Sequence, residues 1–272
     1  MPELPEVETV VRSVRPYVAG RQILDAKFTS KWVTPGNRAA LAKKLIGRRI
    51  ESVTRRGKFI VMALDDGSSL TIHLGMTGKL LVSGRPAEHV YGEFTLDAPA
   101  GGLLGEAELL YHDPRQFGTI EWSPEPLHPR VARLGPEPLE IPFDEFRARL
   151  KRRARIKALL LNQTFLAGLG NIYADESLYR AGIHPLASAE KIGPKRARRL
   201  FDAIRGVLSQ AIELGGSSIS DYVNADGERG WFQVQHKAYG REGQPCEGCG
   251  RPIRKILVAQ RGTHYCPACQ KK

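Results

Sequence analysis

The hydrophobic pattern of this chain changes from alternating to helical at a proline-rich stretch near its middle. Before residue 124, short runs rich in β-branched and aromatic residues are separated by turns, and Asp66-Gly67 is a strong hairpin signal. From Phe143 onward, apolar residues recur at helical spacing. Residues 124–142 follow neither period, which is typical of an interdomain linker. The chain is therefore predicted to be a multidomain α+β protein whose first domain is a β-sandwich or barrel.

The first domain is expected to begin with a helix. Val7, Val10, Val11 and Val14 have the spacing of one helical face, Pro5 and Glu6 open the helix, and Pro16 lies near its end. Burial of that face would hold Pro2, Glu3 and Glu6 in fixed positions. Seven β-type runs follow, at 22–30, 50–54, 59–64, 69–74, 93–97, 108–112 and 119–122.

The second half is expected to be helical up to a cysteine-rich end. Asp144 is a candidate N-cap for a first helix, and a second covers about 156–165. A third follows the turn at Leu169-Gly170-Asn171 and closes at Gly182, and a longer one runs from Pro194 to Gly215-Gly216. The predicted domains are 1–123, a linker at 124–142, 143–235 and 236–272.

The charge of the chain favours a polyanionic partner. Lysine and arginine total 41 against 29 acidic residues, which gives a formal charge of +12 and indicates nucleic acid or an anionic surface. Seven cations fall within residues 147–157, and a solvated basic helix face is the alternative explanation of that run alone. No apolar run approaches the roughly 18 residues of a membrane span, and no signal-peptide pattern is present. A cytosolic protein is expected.

The cysteines predict a metal site. Cys246, Cys249, Cys266 and Cys269 form two C-x2-C pairs separated by sixteen residues, the spacing of a tetrahedral four-thiolate Zn²⁺ site. Two disulfides are the alternative, but they fit poorly in a reducing compartment. Four thiolates leave no open ligand position, so the zinc is expected to be structural. His264, between the pairs, is expected to be a surface or DNA-facing residue and not a metal ligand.

The N-terminus carries a candidate nucleophile. Removal of Met1 would free the secondary amine of Pro2 beside Glu3. An α-amino group has a pKa near 8, and nearby cations or burial increase its neutral fraction. Such an amine forms imines with sugar aldehydes, although Met-Pro-Glu is also an ordinary exposed start.

Two further motifs, HLGMTG at 73–78 and DPRQFG at 113–118, are predicted to be loops after strands. Apolar loop residues such as Met76 and Phe117 usually serve local packing. In a DNA-binding protein they can instead wedge into the base stack, while Arg115 bonds the orphaned base.

Together these motifs resemble the bacterial formamidopyrimidine-DNA glycosylase (MutM) family along the whole chain. The resemblance rests on PELPEVE at 2–8, Gly57-Lys58, the two loops above, GLGNIYADE at 168–176, GGSSISDYV at 215–223 and AQRGTHYC at 259–266. It implies a β-sandwich with flanking helices, a helix-two-turn-helix domain and a zinc-finger β-hairpin. It also implies a monomer associated with the nucleoid that acts on duplex DNA containing oxidised purines or abasic sites.

The resemblance also implies roles for individual residues. Pro2 is the Schiff-base nucleophile, Glu3 the general acid and Glu6 an orienting residue, while Lys58 and Arg261 serve two successive eliminations. The residues implied to contact DNA are His73, Met76, His89, Arg115, Phe117, Arg152, Lys157 and Asn171. Residues 217–230 match a segment that caps the extruded base. Gln116 departs from the family, which often has arginine there, and a modest loss of affinity is expected.

Two alternatives differ in function. The related endonuclease VIII branch removes oxidised pyrimidines, but Leu4 and the set of Met76, Arg115 and Phe117 favour the purine enzyme. A zinc-ribbon nucleic-acid-binding protein without catalysis would explain the charge and the cysteines. It would leave Pro2, Glu3 and Lys58 without a role.

Overall fold

The computed structural model describes residues 1–82, 86–98, 105–218, 224–225, 227 and 229–272. The chain forms two compact units, the first from Met1–Arg133 and Gly215–Trp231, the second from Leu134–Leu214 and Phe232–Lys272. The boundary after Arg133 falls inside the stretch predicted as a linker. The described residues between Gly215 and Trp231, expected with the helical domain, belong to the first unit, where Ala225 packs into the apolar core and Ser217 bonds Glu6.

The first unit contains two four-stranded antiparallel sheets. One consists of β1 (Ile23–Phe28), β5 (Lys79–Leu81), β6 (Val90–Leu96) and β7 (Ala107–His112), in the order β1-β6-β7-β5. The other consists of β2 (Ile50–Arg56), β3 (Phe59–Leu64), β4 (Ser69–His73) and β8 (Thr119–Ser123), in sequential order. Phe28 and Phe94 of one sheet share a core with Ile60 and Ile72 of the other, which is the arrangement of a sandwich.

Helix α1 (Leu4–Val18) packs on this core through the predicted valine face, since Val7, Val10, Val11 and Val14 are all buried. Helix α2 (Arg38–Leu45) and strand β5 were not predicted. The only buried residue of α2 is Leu45, so its sequence has no apolar stripe, and β5 is too short to show a period. A one-turn helix, α3 (Pro129–Ala132), ends this part of the unit.

The second unit is helical, as predicted. Helices α4 (Phe143–Arg149), α5 (Ile156–Leu161), α6 (Asn171–Ala181) and α7 (Pro194–Glu213) precede a hairpin of β9 (Arg254–Val258) and β10 (Arg261–Tyr265). The prediction of Asp144 as an N-cap is wrong, because Pro142 occupies that position and Asp144 lies in the first turn. Gly182 ends α6 with a left-handed φ of 66°, as predicted. None of the described helices combines the length and apolarity that crossing a membrane requires.

Candidate active site and DNA-binding elements

The N-terminal segment is fixed by a reciprocal pair of hydrogen bonds at the start of α1. The backbone N–H of Glu3 donates to Glu6 Oε2 at 2.8 Å, and the Glu3 side chain accepts from the backbone N–H of Glu6. The other carboxylate oxygen of Glu6 accepts from the N–H of Ser217 at 2.7 Å. Pro2, Glu3 and Glu6 are all buried. This capping box leaves the first turn little freedom.

The electrostatic surroundings of the N-terminal amine favour its neutral form. Burial lowers the pKa of the Met1 amino group below its usual value of 8.0; the carboxylates of Glu3 and Glu6 oppose this effect and the cations of Lys58 and Arg115 add to it. These four side chains are thus electrostatic neighbours of the chain start. A prolyl nitrogen freed by loss of Met1 would lie one residue further along, in the same surroundings.

Lys58 follows Gly57 in the two-residue turn between β2 and β3, and its side chain is buried. His73, at the end of β4, stacks near Phe59 with ring centroids 4.9 Å apart. Burial lowers the pKa of His73 to about 4, with further contributions from the charges of Lys58 and Arg130. The Nδ1 atom of this neutral imidazole accepts from the N–H of Gly75 at 3.2 Å.

Two glycines allow the two predicted loops to approach each other closely. A Cβ atom on Gly75, which has a φ of +60°, would lie 2.5 Å from the backbone of Phe117 and Gly118. A Cβ on Gly118 would lie 1.7 Å from the hydroxyl oxygen of Tyr111. No larger residue fits at either position, so the backbones of the two loops lie in direct contact.

The buried carboxylate of Asp113 ties the same two loops together. Its Oδ2 accepts from the N–H of Gly118 at 2.9 Å, and its Oδ1 accepts from the hydroxyl of Thr77 at 2.5 Å. The N–H of Arg115 also approaches Oδ1, at 3.3 Å. Sequence reasoning treated Asp113 only as part of a motif. An acid that opens a proline- and glycine-containing turn was the available signal.

The residues that these loops expose are the predicted wedge residues. Met76 is 42% exposed and Phe117 is 56% exposed, and the guanidinium carbon of Arg115 lies 4.6 Å from the centre of the Phe117 ring. Gln116 adopts a positive φ of 53°, and its Oε1 accepts from the hydroxyl of Ser30 at 2.5 Å. The residue that departs from the family pattern therefore anchors the loop to the segment after β1.

His89 is exposed in the turn before β6, with a positive φ of 65°. Its backbone carbonyl accepts from the N–H of Asp113 at 3.0 Å. Its Nδ1 lies 3.3 Å from the hydroxyl of Tyr91, and its Nε2 lies 3.7 Å from a carboxylate oxygen of Glu88. His89 thus lies beside the loop that carries Arg115 and Phe117. The segment predicted to cap an extruded base is described only at its ends, and residues 219–223, 226 and 228 lie outside the described residues.

The basic run at 147–157 lies mostly in the connection between α4 and α5. Arg152 is exposed there. Lys157 is different, because its side chain is completely buried and its Nζ donates to Asp175 Oδ1 of α6. An ammonium group enclosed in this way does not face solvent, in contrast to the predicted phosphate contact.

Asn171 begins α6 after Gly170, which contributes no side chain at the helix N-terminus. The Asn171 amide nitrogen donates to the carbonyl of Gly262 at 2.8 Å. Gly262 follows Arg261, whose side chain is exposed next to the β9–β10 turn. Asn171 and the segment that carries Arg261 are therefore joined within the second unit.

The four cysteines lie together. Their Sγ atoms are all within 4.8 Å of one another, with 3.8 Å between Cys246 and Cys269 and 3.4 Å between Cys249 and Cys266. All four are free thiols. Zn–S bonds of about 2.3 Å in tetrahedral geometry separate the sulfur atoms by roughly 3.8 Å, so the donor set fits one structural Zn²⁺. In the described part of the chain, no other group of candidate ligands accompanies them.

His264, which was expected to be a surface or DNA-facing residue, is buried. His264 is 8% exposed, because β10 packs against α6 and its side chain lies beside Asp175, with Nδ1 3.4 Å from Oδ2. The group of candidate metal ligands consists of the four cysteines and does not include His264. The sequence of β10 does not show which face of the hairpin packs against α6, so the burial of His264 could not be predicted.

Family models match three successive parts of the chain. The formamidopyrimidine-DNA glycosylase N-terminal domain matches residues 1–120, the formamidopyrimidine-DNA glycosylase H2TH domain matches 134–223, and the zinc finger found in FPG and IleRS matches 243–272. These matches follow the order of the sandwich, the helical region and the cysteine hairpin.

Individual relatives agree along their full length. The formamidopyrimidine-DNA glycosylase of Solibacter usitatus is 54% identical over 274 residues, with all of both chains covered. The crystal structure of MutM (FPG) from Thermus thermophilus has a TM-score of 0.87 at 44% identity and covers 99% of this chain and 98% of its own. That of Lactococcus lactis Fpg with N7-benzyl-Fapy-dG DNA has a TM-score of 0.88 at 37% identity, with full coverage. The chain belongs to the formamidopyrimidine-DNA glycosylase family.

Proposed function

We propose that this chain excises oxidised purines from duplex DNA with Pro2 as its nucleophile and then cleaves the strand at the resulting abasic site. The observation that carries this is the buried capping box, which fixes Pro2 and Glu3 at the chain start with Lys58 as an electrostatic neighbour. An amine in this setting is a competent nucleophile. The relatives named formamidopyrimidine-DNA glycosylase support the same activity.

The reaction begins with attack of the Pro2 nitrogen on C1′ of the damaged nucleotide. The base leaves with the proton given up by the Pro2 nitrogen, Glu3 protonates the ring oxygen of the sugar as the C1′–O4′ bond breaks, and an iminium joins Pro2 to the opened sugar. The positive iminium acidifies C2′, so loss of a C2′ proton breaks the C3′–O bond and releases the 3′ phosphate. Lys58 serves this first elimination. Glu6 keeps the nucleophile in place through the N–H of Glu3.

A second elimination completes strand cleavage. Loss of a C4′ proton shifts the double bonds, the C5′–O bond breaks, and its electron pair leaves with the 5′ phosphate. Arg261 serves this step, because a guanidinium group stabilises the negative charge of the departing phosphate. The final product is a one-nucleotide gap.

The target nucleotide must leave the base stack before attack, because its C1′ is inaccessible within the duplex. We infer that Met76 and Phe117 fill the space that it vacates, since both are exposed on loops held together by Asp113. Arg115 then bonds the orphaned base. His73, His89, Arg152 and Asn171 are proposed to contact the backbone, and the zinc-held hairpin presents further cations to phosphate.

The proposed partner is duplex DNA bound by a single copy of the chain, and the proposed location is the bacterial cytoplasm at the nucleoid. Neither alternative function is favoured. A protein without catalysis would leave Pro2, Glu3 and Lys58 without a role, and the family models and relatives carry the glycosylase name.

Borohydride trapping tests the proposal. The processed protein is incubated with an 8-oxoguanine duplex and sodium borohydride, which reduces the iminium to a stable covalent complex. We expect a trapped complex with the unaltered chain, a sharp reduction with Pro2→Gly, and none when an N-terminal extension places Pro2 in a peptide bond. Full strand cleavage by the extended protein would contradict the assignment of Pro2. Parallel duplexes with formamidopyrimidine and dihydrouracil distinguish the purine enzyme from the endonuclease VIII alternative.

A further inference from the structure

A buried ion pair in the second unit has no role in the chemistry described so far. Lys157 of α5 and Asp175 of α6 are both completely buried, and Nζ of Lys157 donates to Asp175 Oδ1. The same Nζ donates to the backbone carbonyl of Asn171 at 3.2 Å. A buried ion pair is tolerated only when further hydrogen bonds complete it, so the remaining partners of Asp175 reveal what the pair holds in place.

The second carboxylate oxygen of Asp175 holds the hairpin strand. Oδ2 accepts from the backbone N–H of His264 at 2.9 Å. Two residues earlier on β10, the carbonyl of Gly262 accepts from the Asn171 side chain at 2.8 Å. The two residues that accept from Lys157, Asp175 and Asn171, therefore also bond the backbone of β10 directly. They do so at the positions that follow Arg261.

Arg261 has little freedom once β10 is held. It pairs with Val258 across a two-residue turn, and the two turn residues, Ala259 and Gln260, both have positive φ angles of 48° and 59°. Such a tight turn fixes the register of the hairpin. The contacts of α5 and α6 with β10 thus fix the backbone position of Arg261, whose side chain is exposed.

The next acid of α6 holds another segment in the same way. Glu176 is completely buried, and its Oε1 accepts from the backbone N–H groups of Ala238 at 2.9 Å and Tyr239 at 2.8 Å. Adjacent carboxylates of one helix therefore bond two separate stretches of backbone. Of these two acids, only Asp175 has a buried cation as its counter-ion. Substitution of Lys157 therefore perturbs the contacts of Asp175 and not those of Glu176.

We infer that Lys157 is a positioning residue for Arg261, acting through Asp175 and the backbone of β10. The inference rests on the proposed function of Arg261 in the second elimination. Base excision and the first elimination use Pro2, Glu3 and Lys58, all in the first unit. Displacement of β10 therefore selectively slows the second elimination, which separates the sugar from the phosphate on its 5′ side and leaves that phosphate on the 3′ end of the upstream fragment. Product that has undergone only the first elimination accumulates.

The test compares the two eliminations on a duplex that contains an abasic site. Gel electrophoresis separates the 3′ unsaturated aldehyde left by the first elimination from the 3′ phosphate left by the second. In Lys157→Met we expect the ratio of second to first elimination to fall by about tenfold or more, since small misplacements of catalytic groups have effects of that size. Borohydride trapping, measured with DNA in saturating excess so that a change in affinity through Asn171 does not enter, should stay within about twofold of the unaltered chain, because its groups lie in the first unit and small displacements act only on the groups displaced. Lys195→Met, an exposed lysine of α7, is the control with the same loss of charge and leaves the ratio unchanged.

Two double variants separate positioning from stability. Lys157→Met with Asp175→Asn and Lys157→Met with Asp175→Leu both remove the two buried charges, so both should unfold at a higher temperature than the single variant. The asparagine retains an acceptor oxygen for the His264 N–H, and the leucine does not. We expect the asparagine variant to recover the second elimination and the leucine variant to remain defective.

Equal ratios in the two double variants would overturn the inference, whatever the single variant does. A folded Lys157→Met protein with an unaltered ratio would also overturn it. Failure of the proposed function gives a different result, because the unaltered chain would then trap no DNA or form no 3′ phosphate product.

Discussion

The buried carboxylate of Glu6 stabilises the first unit and also holds the proposed nucleophile in place. The substitution Glu6→Gln tests both roles with almost no change in side-chain shape. Glu6 is 1% exposed. One of its oxygens accepts from the N–H of Glu3 at 2.8 Å and the other from the N–H of Ser217 at 2.7 Å. Both groups are donors, so either orientation of a glutamine amide places its NH2 against a backbone N–H.

The size of the effect follows from these two bonds. A hydrogen bond to a charged group contributes about 1.5–3 kcal/mol and a neutral one about 1 kcal/mol. The substitution removes one bond, weakens the other and leaves a buried donor unsatisfied, so we expect a loss of about 2–4 kcal/mol. In a unit of this size that corresponds to a fall in melting temperature of roughly 5–15 °C. Relief of carboxylate desolvation acts in the opposite direction but does not remove the clash between donors.

Thermal unfolding and hydrogen exchange provide the measurements. The amides of Glu3 and Ser217 should exchange at least about tenfold faster in Glu6→Gln, because their acceptor is lost or weakened. Trapping of DNA should slow in parallel. Glu51→Gln, an exposed residue of β2, is the matched control and should change nothing. Unaltered unfolding together with unaltered exchange at both amides would refute the role given to Glu6.

Two further predictions concern the metal and the pH dependence. Cys249→Ala should lose zinc and weaken duplex binding, because the cluster of buried side chains around the cysteines contains Ile253 as its one further member among the described residues. Metal analysis with a binding titration checks this, and unchanged affinity in the zinc-free protein would count against it. Burial lowers the pKa of His73 and of His236 to about 4, below the unfolded value near 6.5. Stability should therefore be fully present above pH 6.5 and be lost as the pH falls toward 4, by up to about 3 kcal/mol for each histidine. Denaturant unfolding across that range measures the loss, and a His73→Gln variant with an unchanged pH profile would contradict it.

Local patterns predicted much of the secondary structure. The valine spacing predicted α1, the turn at Gly170 and the stop at Gly182 predicted α6, and the alternating runs predicted most strands of the sandwich. Elements without an internal pattern were missed, as with α2, and the cap predicted at Asp144 lies two residues earlier, at Pro142. Periodicity reports only on elements that bury a continuous face.

The sequence alone determined the chemical groups of the site. A proline next to two glutamates at the chain start, two C-x2-C pairs and two glycine-rich loops are local features, and their chemistry depends on residue type and spacing. Which side chains would be buried, and with which partners, was decided only by the tertiary structure. Glu6 accepts from Ser217, 211 positions away, and Lys157, predicted at the DNA surface, lies completely buried against Asp175. The burial of a polar side chain depends on contacts between segments distant in the chain, so no local pattern carries it.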